Sequence, residues 1–325
     1  MDLPRRKFLH LAAGAAAVSA VSSRAWAQTY PSHSVRLIVP FPPGGPNDVF
    51  ARLIGQWLYE RLGQPVIIDN RPGAGGNIGT EAVVKAAPDG YTLLLINSNH
   101  TVNATLYDKL NYNFIRDIVP VAAIIRLPLV LVLNPLLPAT TLLQFTAHAK
   151  ANPGKLNYAS VGNGSTPHVA GELFKMMTGI DIVHVPYRGA VQALTDLLSG
   201  QVQAMFIVPG VVTEHIKAGK LRAVAVTTAT RSDVLPDLPT VNSVVTGYEA
   251  TTWFGIGAPK HVPSEIVDKL NKEINAGLAD PKMKARFADL GSTELPGSPA
   301  DFGRLIAEET EKLGKVVKFC GAKVE

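Results

Sequence analysis

The chain has 325 residues, a formal net charge of +5 and a single cysteine, Cys320. One thiol excludes an intramolecular disulfide framework and a cysteine-rich zinc site, and the length exceeds one ordinary core and points to two lobes. The charge is concentrated at the N-terminus: residues 1–27 carry Arg5, Arg6, Lys7 and Arg24 against Asp2, so their removal lowers it to +2 and leaves no basic run suited to nucleic acid or a membrane surface.

Arg5 and Arg6 stand beside Lys7, Phe8 and Leu9, and an alanine-rich, weakly apolar run follows from Leu11 to Val21. Ala25, Trp26 and Ala27 then supply the small-x-small pattern of a processing site, which predicts a twin-arginine export leader over residues 1–27 and a mature periplasmic chain beginning near Gln28. A membrane anchor needs about 20 strongly apolar residues, and this run is short and rich in Ala, Gly and Ser.

From Ser34 onward, short β-branched runs alternate with helical-period runs, the rhythm of βαβ units. Val35 to Val39 reads as a strand closed by Pro40. From Asn47, Val49, Leu53, Ile54, Trp57 and Leu58 fall on one helical face until Gly63 stops it. Val66 to Ile68 and Tyr91 to Ile96 read as further strands, the latter a continuous apolar run suited to burial on both faces. Three strand-to-helix units follow. Leu156 to Ser160 leads through Gly162 and Gly164 to a helix with Thr166 as its expected cap and Pro167 in its first turn. Ile182 to Pro186 leads through Gly189 to a helix ending at Gly200, and Ala204 to Val208 leads through Gly210 to one ending near Gly219. The strand Arg222 to Thr227, a loop around Asp233 to Pro239, the strand Trp253 to Ala258 and two terminal helices complete the reading.

Ligands of open parallel sheets bind beyond the carboxyl ends of the strands, where helix N-termini present unpaired amides and partial positive charge. Here those ends carry Phe41-Pro42-Pro43-Gly44-Gly45-Pro46-Asn47-Asp48, Gly162 through Thr166, and Tyr187 through Ala190. Glycine permits backbone N–H groups to approach a ligand and proline stiffens the loop, an arrangement suited to an anion; each loop alone is equally compatible with an ordinary tight turn. On this reading Asn47 and Thr166 open helices from opposite lobes, and Arg71 and Arg188 are side chains able to fork onto a carboxylate. Trp57 and Trp253 sit in apolar periodic runs and read as core, whereas Phe41 sits among prolines at a strand end.

Sharper chemistries fail on spacing. Gly73-Ala74-Gly75-Gly76-Asn77-Ile78 displaces the third glycine of a dinucleotide fingerprint to Gly79 and follows the second strand, and no Walker A triplet occurs. Ser165 and His168 lie three apart without a Gly-x-Ser-x-Gly elbow, and the histidines lack metal-binding spacing. The expectation is therefore a binding protein with no cofactor, no metal and no catalytic role. An esterase using Ser165 is the rival enzymatic reading.

Val39 to Asp48, Asn70 to Gly79 with Ala87 to Leu93, Asn157 to Phe174, Val183-His184-Val185-Pro186-Tyr187-Arg188-Gly189 and Ile216 to Arg222 together resemble the Bug, or tripartite tricarboxylate transporter, extracytoplasmic receptor family. The resemblance runs through essentially the whole mature chain. It implies an α/β, type II periplasmic-binding-protein fold: two lobes, each a mostly parallel sheet flanked by helices, with a small organic carboxylate held in the cleft between them. It also implies residues 28–128 plus 230–325 as the first lobe and 129–229 as the second; two sequential domains are the alternative. By position the site would comprise Phe41, Gly44, Asn47, Asp48 and Ser98 from the first lobe. The second would supply Gly162, Ser165, Thr166, His168, Tyr187 and Gly189, with Arg188 beside them. The implied partner is a membrane permease, contacted transiently by a monomeric receptor, with an orphan receptor for a signalling protein as the alternative. Two departures stand out: Asn47 replaces the Thr common in the family, and Ile207 follows Met205-Phe206 where an Asp is frequent, which disfavours an amino-acid ligand.

Overall fold

The computed structural model describes residues 30–232 and 235–323; the expected leader and its processing site lie outside the described residues. The chain opens with β1 (Val35–Val39), α1 (Pro46–Leu62), β2 (Val66–Asn70), α2 (Asn77–Val84), β3 (Thr92–Asn97), α3 (Asn99–Leu106), α4 (Phe114–Asp117) and β4 (Ile118–Pro128). It continues through β5 (Val130–Leu133), α5 (Leu142–Ala151), β6 (Asn157–Ser160), α6 (Thr166–Thr178), β7 (Val183–Pro186), α7 (Ala190–Ser199), β8 (Ala204–Ile207), α8 (Pro209–Lys217) and β9 (Arg222–Val226). It ends with β10 (Thr251–Pro259), α9 (Ser264–Ala279), α10 (Pro281–Asp289), β11 (Thr293–Glu294) and α11 (Pro299–Cys320).

Two sheets result, ordered β11-β4-β10-β3-β1-β2 and β7-β6-β8-β5-β9. Both are mixed, where mostly parallel sheets were expected. The βαβ units do pair in parallel, β1 with β2 and β3, and β6 with β7 and β8. The strands that carry the chain between sheets, β4, β5, β9 and β10, enter antiparallel ladders. This geometry brings the carboxyl ends of β1, β3, β6, β7 and β8 to the edges at which the chain crosses, so the strand-to-helix turns of both sheets face one cleft.

The strand periodicity sorts side chains as a doubly covered sheet requires. Leu37, Leu93, Leu95 and Ile256 join one apolar cluster, while Ile38, Leu94, Ile96 and Trp253 join the cluster on the opposite face. In the second sheet Leu131, Leu133 and Phe206 alternate with Val130, Val132 and Met205 in the same way. Helix ends follow local chemistry: α1 begins at Pro46 and stops at Gly63 in the left-handed region, and α11 begins with a capping box between Ser298 and Asp301.

The C-terminal region holds three helices, not two, because Asp280 ends α9 in an extended conformation and caps α10. Several segments cross the expected lobe assignment. Val241, Val245 and Tyr248, together with Leu313, Val316 and Val317 of α11 and Val102 and Leu106 of α3, pack in the cluster built on the second sheet.

Candidate functional site

The turn after β1 is held by its own backbone and one acid. Gly45, without a side-chain bond, occupies the cap of α1, so Asn47 is not the cap; it lies one position beyond Pro46 and its Oδ1 accepts a hydrogen bond from Asn97 Nδ2 at 2.9 Å. Asp48 is 4% exposed. Its Oδ2 accepts from Gly44 N–H at 3.0 Å and from Arg52 Nε at 2.9 Å, while Oδ1 has no protein partner. The Arg52 hydrogen bond, aided by the Gly44 amide, holds the Asp48 carboxyl below the usual range against the opposing effect of burial. Phe41 lies against the turn at Gly76, with its carbonyl accepting from Asn70 Nδ2.

The turn after β6 is wired differently. Ser165, not Thr166, caps α6: its Oγ accepts the His168 N–H and donates to the Gly162 carbonyl at 2.6 Å. Thr166 is the first helical residue, and its Oγ1 lies 3.2 Å from Ser98 Oγ at the start of α3, a buried contact joining the two sheets' sides of the cleft. Gly164 has φ +75°, the left-handed region that favours glycine, and a Cβ there would lie 2.5 Å from Leu106 Cδ2, so the Leu106 side chain would have to shift.

His168 is 3% exposed and borders a separate cavity with Glu172, Lys175 and His184. Its Nδ1 accepts the Gly164 N–H at 3.0 Å, which places the proton on Nε2, and its ring stacks on His184 at 4.0 Å. His184 Nε2 lies 2.6 Å from Ser160 Oγ, which also accepts the Gly162 N–H at 3.1 Å. Burial lowers both histidine pKa values, that of His184 to about 3, with the neighbouring His168 adding to the effect. Behind the pair, Glu172 accepts from Tyr158 Oη at 2.6 Å and pairs with Lys175 at 2.9 Å. Two neutral histidines thus fix the backbone of the Gly162–Ser165 turn from behind.

Tyr187 and Arg188 follow β7. The Tyr187 hydroxyl donates to Asp196 at 2.7 Å, and burial with that carboxylate pushes its pKa up to about 12. Arg188 is exposed and forms no ion pair among the described residues. Gly189 is extended, and a Cβ there would meet no atom within 4 Å, so its backbone does not require glycine. Gly162, Tyr187 and Arg188 border a cavity of about 430 Å³, closed on the other side by Leu106 and Tyr107.

The structure therefore brings Ser98, Gly162, Thr166, Tyr187 and Arg188 to the cleft, with Gly44, Asn47 and Asp48 on its first-sheet wall. His168 supports the site from the rear. Arg71 is committed to Asp69 at 3.0 Å on a different face. Sequence reasoning missed Ser160 and His184, whose only local signal is a polar residue within a short β run, and Tyr107, which follows an unrecognised helix. The esterase geometry is not formed: the Ser165 hydroxyl is given to a carbonyl and the His168 ring bonds a backbone amide. The Ser160–His184 pair is fully or partly buried, and a histidine at about 3 is a weak base.

The family model described as "Tripartite tricarboxylate transporter family receptor" matches residues 50–322. Protein BugT of Bordetella pertussis is 40% identical over 314 residues, spanning 95% of this chain and 96% of that relative. Among solved structures, Rpa4515 of R. palustris with adipate is 38% identical, with a TM-score of 0.78 over 90% of this chain and 99% of that one. MatC (Rpa3494) from Rhodopseudomonas palustris with bound malate is 32% identical, with a TM-score of 0.74 over 89% of this chain and 100% of that one. With a family model over most of its length, relatives matched nearly end to end and a cleft built from both sheets, the chain belongs to the tripartite tricarboxylate transporter receptor family.

Proposed function

We propose that this protein is a periplasmic receptor that closes on a small organic carboxylate and presents it to a membrane permease of the tripartite tricarboxylate type. The observation that carries the reading is the cavity bordered by Gly162, Tyr187 and the unpaired Arg188 at the meeting of the two sheets. A carboxylate there meets backbone N–H groups at the start of α7 and the Arg188 guanidinium, which forms no ion pair among the described residues, and closure strengthens both by excluding water. The adipate and malate complexes of the two R. palustris relatives support an acid as the ligand class.

In this reading residues 28–128 plus 230–325 form the first lobe and 129–229 the second, with the end of α11 and the segment around Tyr248 bridging them. The site is Phe41, Gly44, Asn47, Asp48, Ser98, Gly162, Ser165, Thr166, Tyr187, Arg188 and Gly189, and His168 positions the turn. Ligand affinity for the closed form shifts the open–closed equilibrium that the permease senses. Export follows the twin-arginine leader, and the receptor acts as a monomer without cofactor.

Isothermal titration of the mature protein against an organic-acid panel, with mass analysis of the recovered ligand, tests the reading. Saturable binding of an unaltered acid, with a raised melting temperature, is expected. Recovery of a chemically altered compound would replace the receptor with an enzyme. Replacing Arg5 and Arg6 by Lys tests the export route, with precursor retained in the cytoplasm as the expected outcome.

A further inference from the structure

The cleft holds a second compartment, of about 230 Å³, on the side of β8. Val49, Phe50, Leu127 and Leu290 wall it from the first sheet's side, and Val208 and Val211 from the second's. Among the described residues, no titratable side chain lines it. Val211 and Leu290 are each 39% exposed, large apolar groups presented to solvent on facing walls. The strand that leads into it ends at the buried, apolar Ile207.

The order of the strands places the compartment beside the polar site along the same cleft. β8 lies beside β6, so the Val208 turn neighbours the Gly162 turn. Across the cleft Gly44, which borders the compartment, follows β1, and Ser98 follows β3, the adjacent strand. A water molecule needs several polar partners to be stable in a cavity, and these walls offer few, while an unfilled apolar space forfeits dispersion contacts. Hydrocarbon satisfies both conditions.

We infer that this compartment receives the apolar body of the bound acid, so that the receptor selects amphipathic carboxylates, those on a hydrocarbon chain or ring, over short hydroxylated acids. The inference rests on the carboxylate reading above and adds the chemistry of the rest of the ligand. The carboxylate is held at the Gly162 and Arg188 turns, and the apolar body extends toward Gly44 and Val211.

Calorimetry with the straight-chain dicarboxylates from malonate to suberate, with malate and benzoate for comparison, tests it on the mature protein. Affinity is expected to rise about fourfold per methylene until the compartment is full, the increment that corresponds to burial of one CH₂ group. Benzoate is expected to bind more tightly than its single carboxylate would predict from malate. Val211→Asn and Leu290→Asn are each expected to reduce the gain per methylene to below about twofold, read as the ratio of suberate to succinate affinity within each variant. Both positions are partly exposed, and melting curves confirm that each variant is folded. Equal affinity along the series in the native protein, or an unchanged ratio in both variants, overturns the inference and leaves the carboxylate reading standing. Failure of every acid to bind overturns both.

Discussion

The turn after β1 and the turn after β6 occupy equivalent places at the edges of their sheets, and they are stabilised by different means. The first is stiffened covalently, by Pro42, Pro43 and Pro46, and is tied by a single buried carboxylate, Asp48, to Gly44 and Arg52. The second contains no proline before Pro167 and is fixed by a buried lattice of Ser160, Ser165, His168 and His184 bonded to its backbone. Proline acts by narrowing the unfolded ensemble, so its contribution is insensitive to partners. A side-chain lattice acts only when every member is in place. The two walls of one cleft should therefore fail differently.

The largest difference is expected at His168. His168→Leu leaves the Gly164 N–H without an acceptor and breaks the stack with His184, and denaturant unfolding should show a loss of about 3 kcal/mol. His168→Asn keeps an acceptor near the Nδ1 position and should recover about half of that, together with most of the ligand affinity. An equal loss in both variants would reduce the role of His168 to packing.

Asp48→Asn should cost about 2 kcal/mol, as charge-assisted bonds to Gly44 and Arg52 weaken. The two turns also respond to acid in different windows. Asp48 is held below its unfolded value, so its contribution is complete above about pH 4 and is lost as the pH falls through the lower folded value. The neutral histidines bind protons more readily when unfolded, at about pH 6.5, so stability declines from there as the pH falls toward about 3, the folded value of His184. Melting temperature against pH should fall with a shallower slope below pH ~6.5 in His184→Asn, and the deficit of Asp48→Asn should shrink only below about pH 4.

Ser165→Ala removes the cap of α6 and should cost about 1 kcal/mol in the same unfolding assay, with Thr166→Ala costing less because Thr166 is not the cap. Pro46→Ala, at the smallest end, should cost about 0.5 kcal/mol, and ligand binding should be almost unchanged. A Pro46→Ala effect larger than that of Ser165→Ala would reverse the contrast between the two walls.

Much of the architecture was legible because it is local. Val35–Val39 was read with its observed limits, and Gly63, Gly200 and the glycine-rich turns mark real helix and strand ends. What escaped was set by distant partners. β4 and β5 are separated only by Leu129, and nothing in their own pattern says that they run antiparallel to their neighbours; the boundary at 128/129 came from the resemblance alone. Asn47 and Thr166 were read as caps because each is cap-competent, but proline is tolerated throughout a first helical turn and so does not fix which neighbour caps it. For His168, the sequence shows a polar residue close to a glycine turn. Its inward orientation depends on His184, sixteen residues later on the adjacent strand pair.

The last helix has a consequence of its own. Phe302 and Ile306, near the start of α11, pack with Trp253 of the first sheet, whereas Leu313, Val316 and Val317, near its end, pack with Phe174 and Phe206 on the second. One rod of 22 residues, roughly 33 Å long by the standard helical rise, is thus embedded at its two ends in the cores of the two sheets. A scissor-like opening would bend it or tear one end from its bed, and both cost packing. Rotation about its long axis would twist it or slide one end against its packing, so the helix opposes a wide separation of the two sheets by either route.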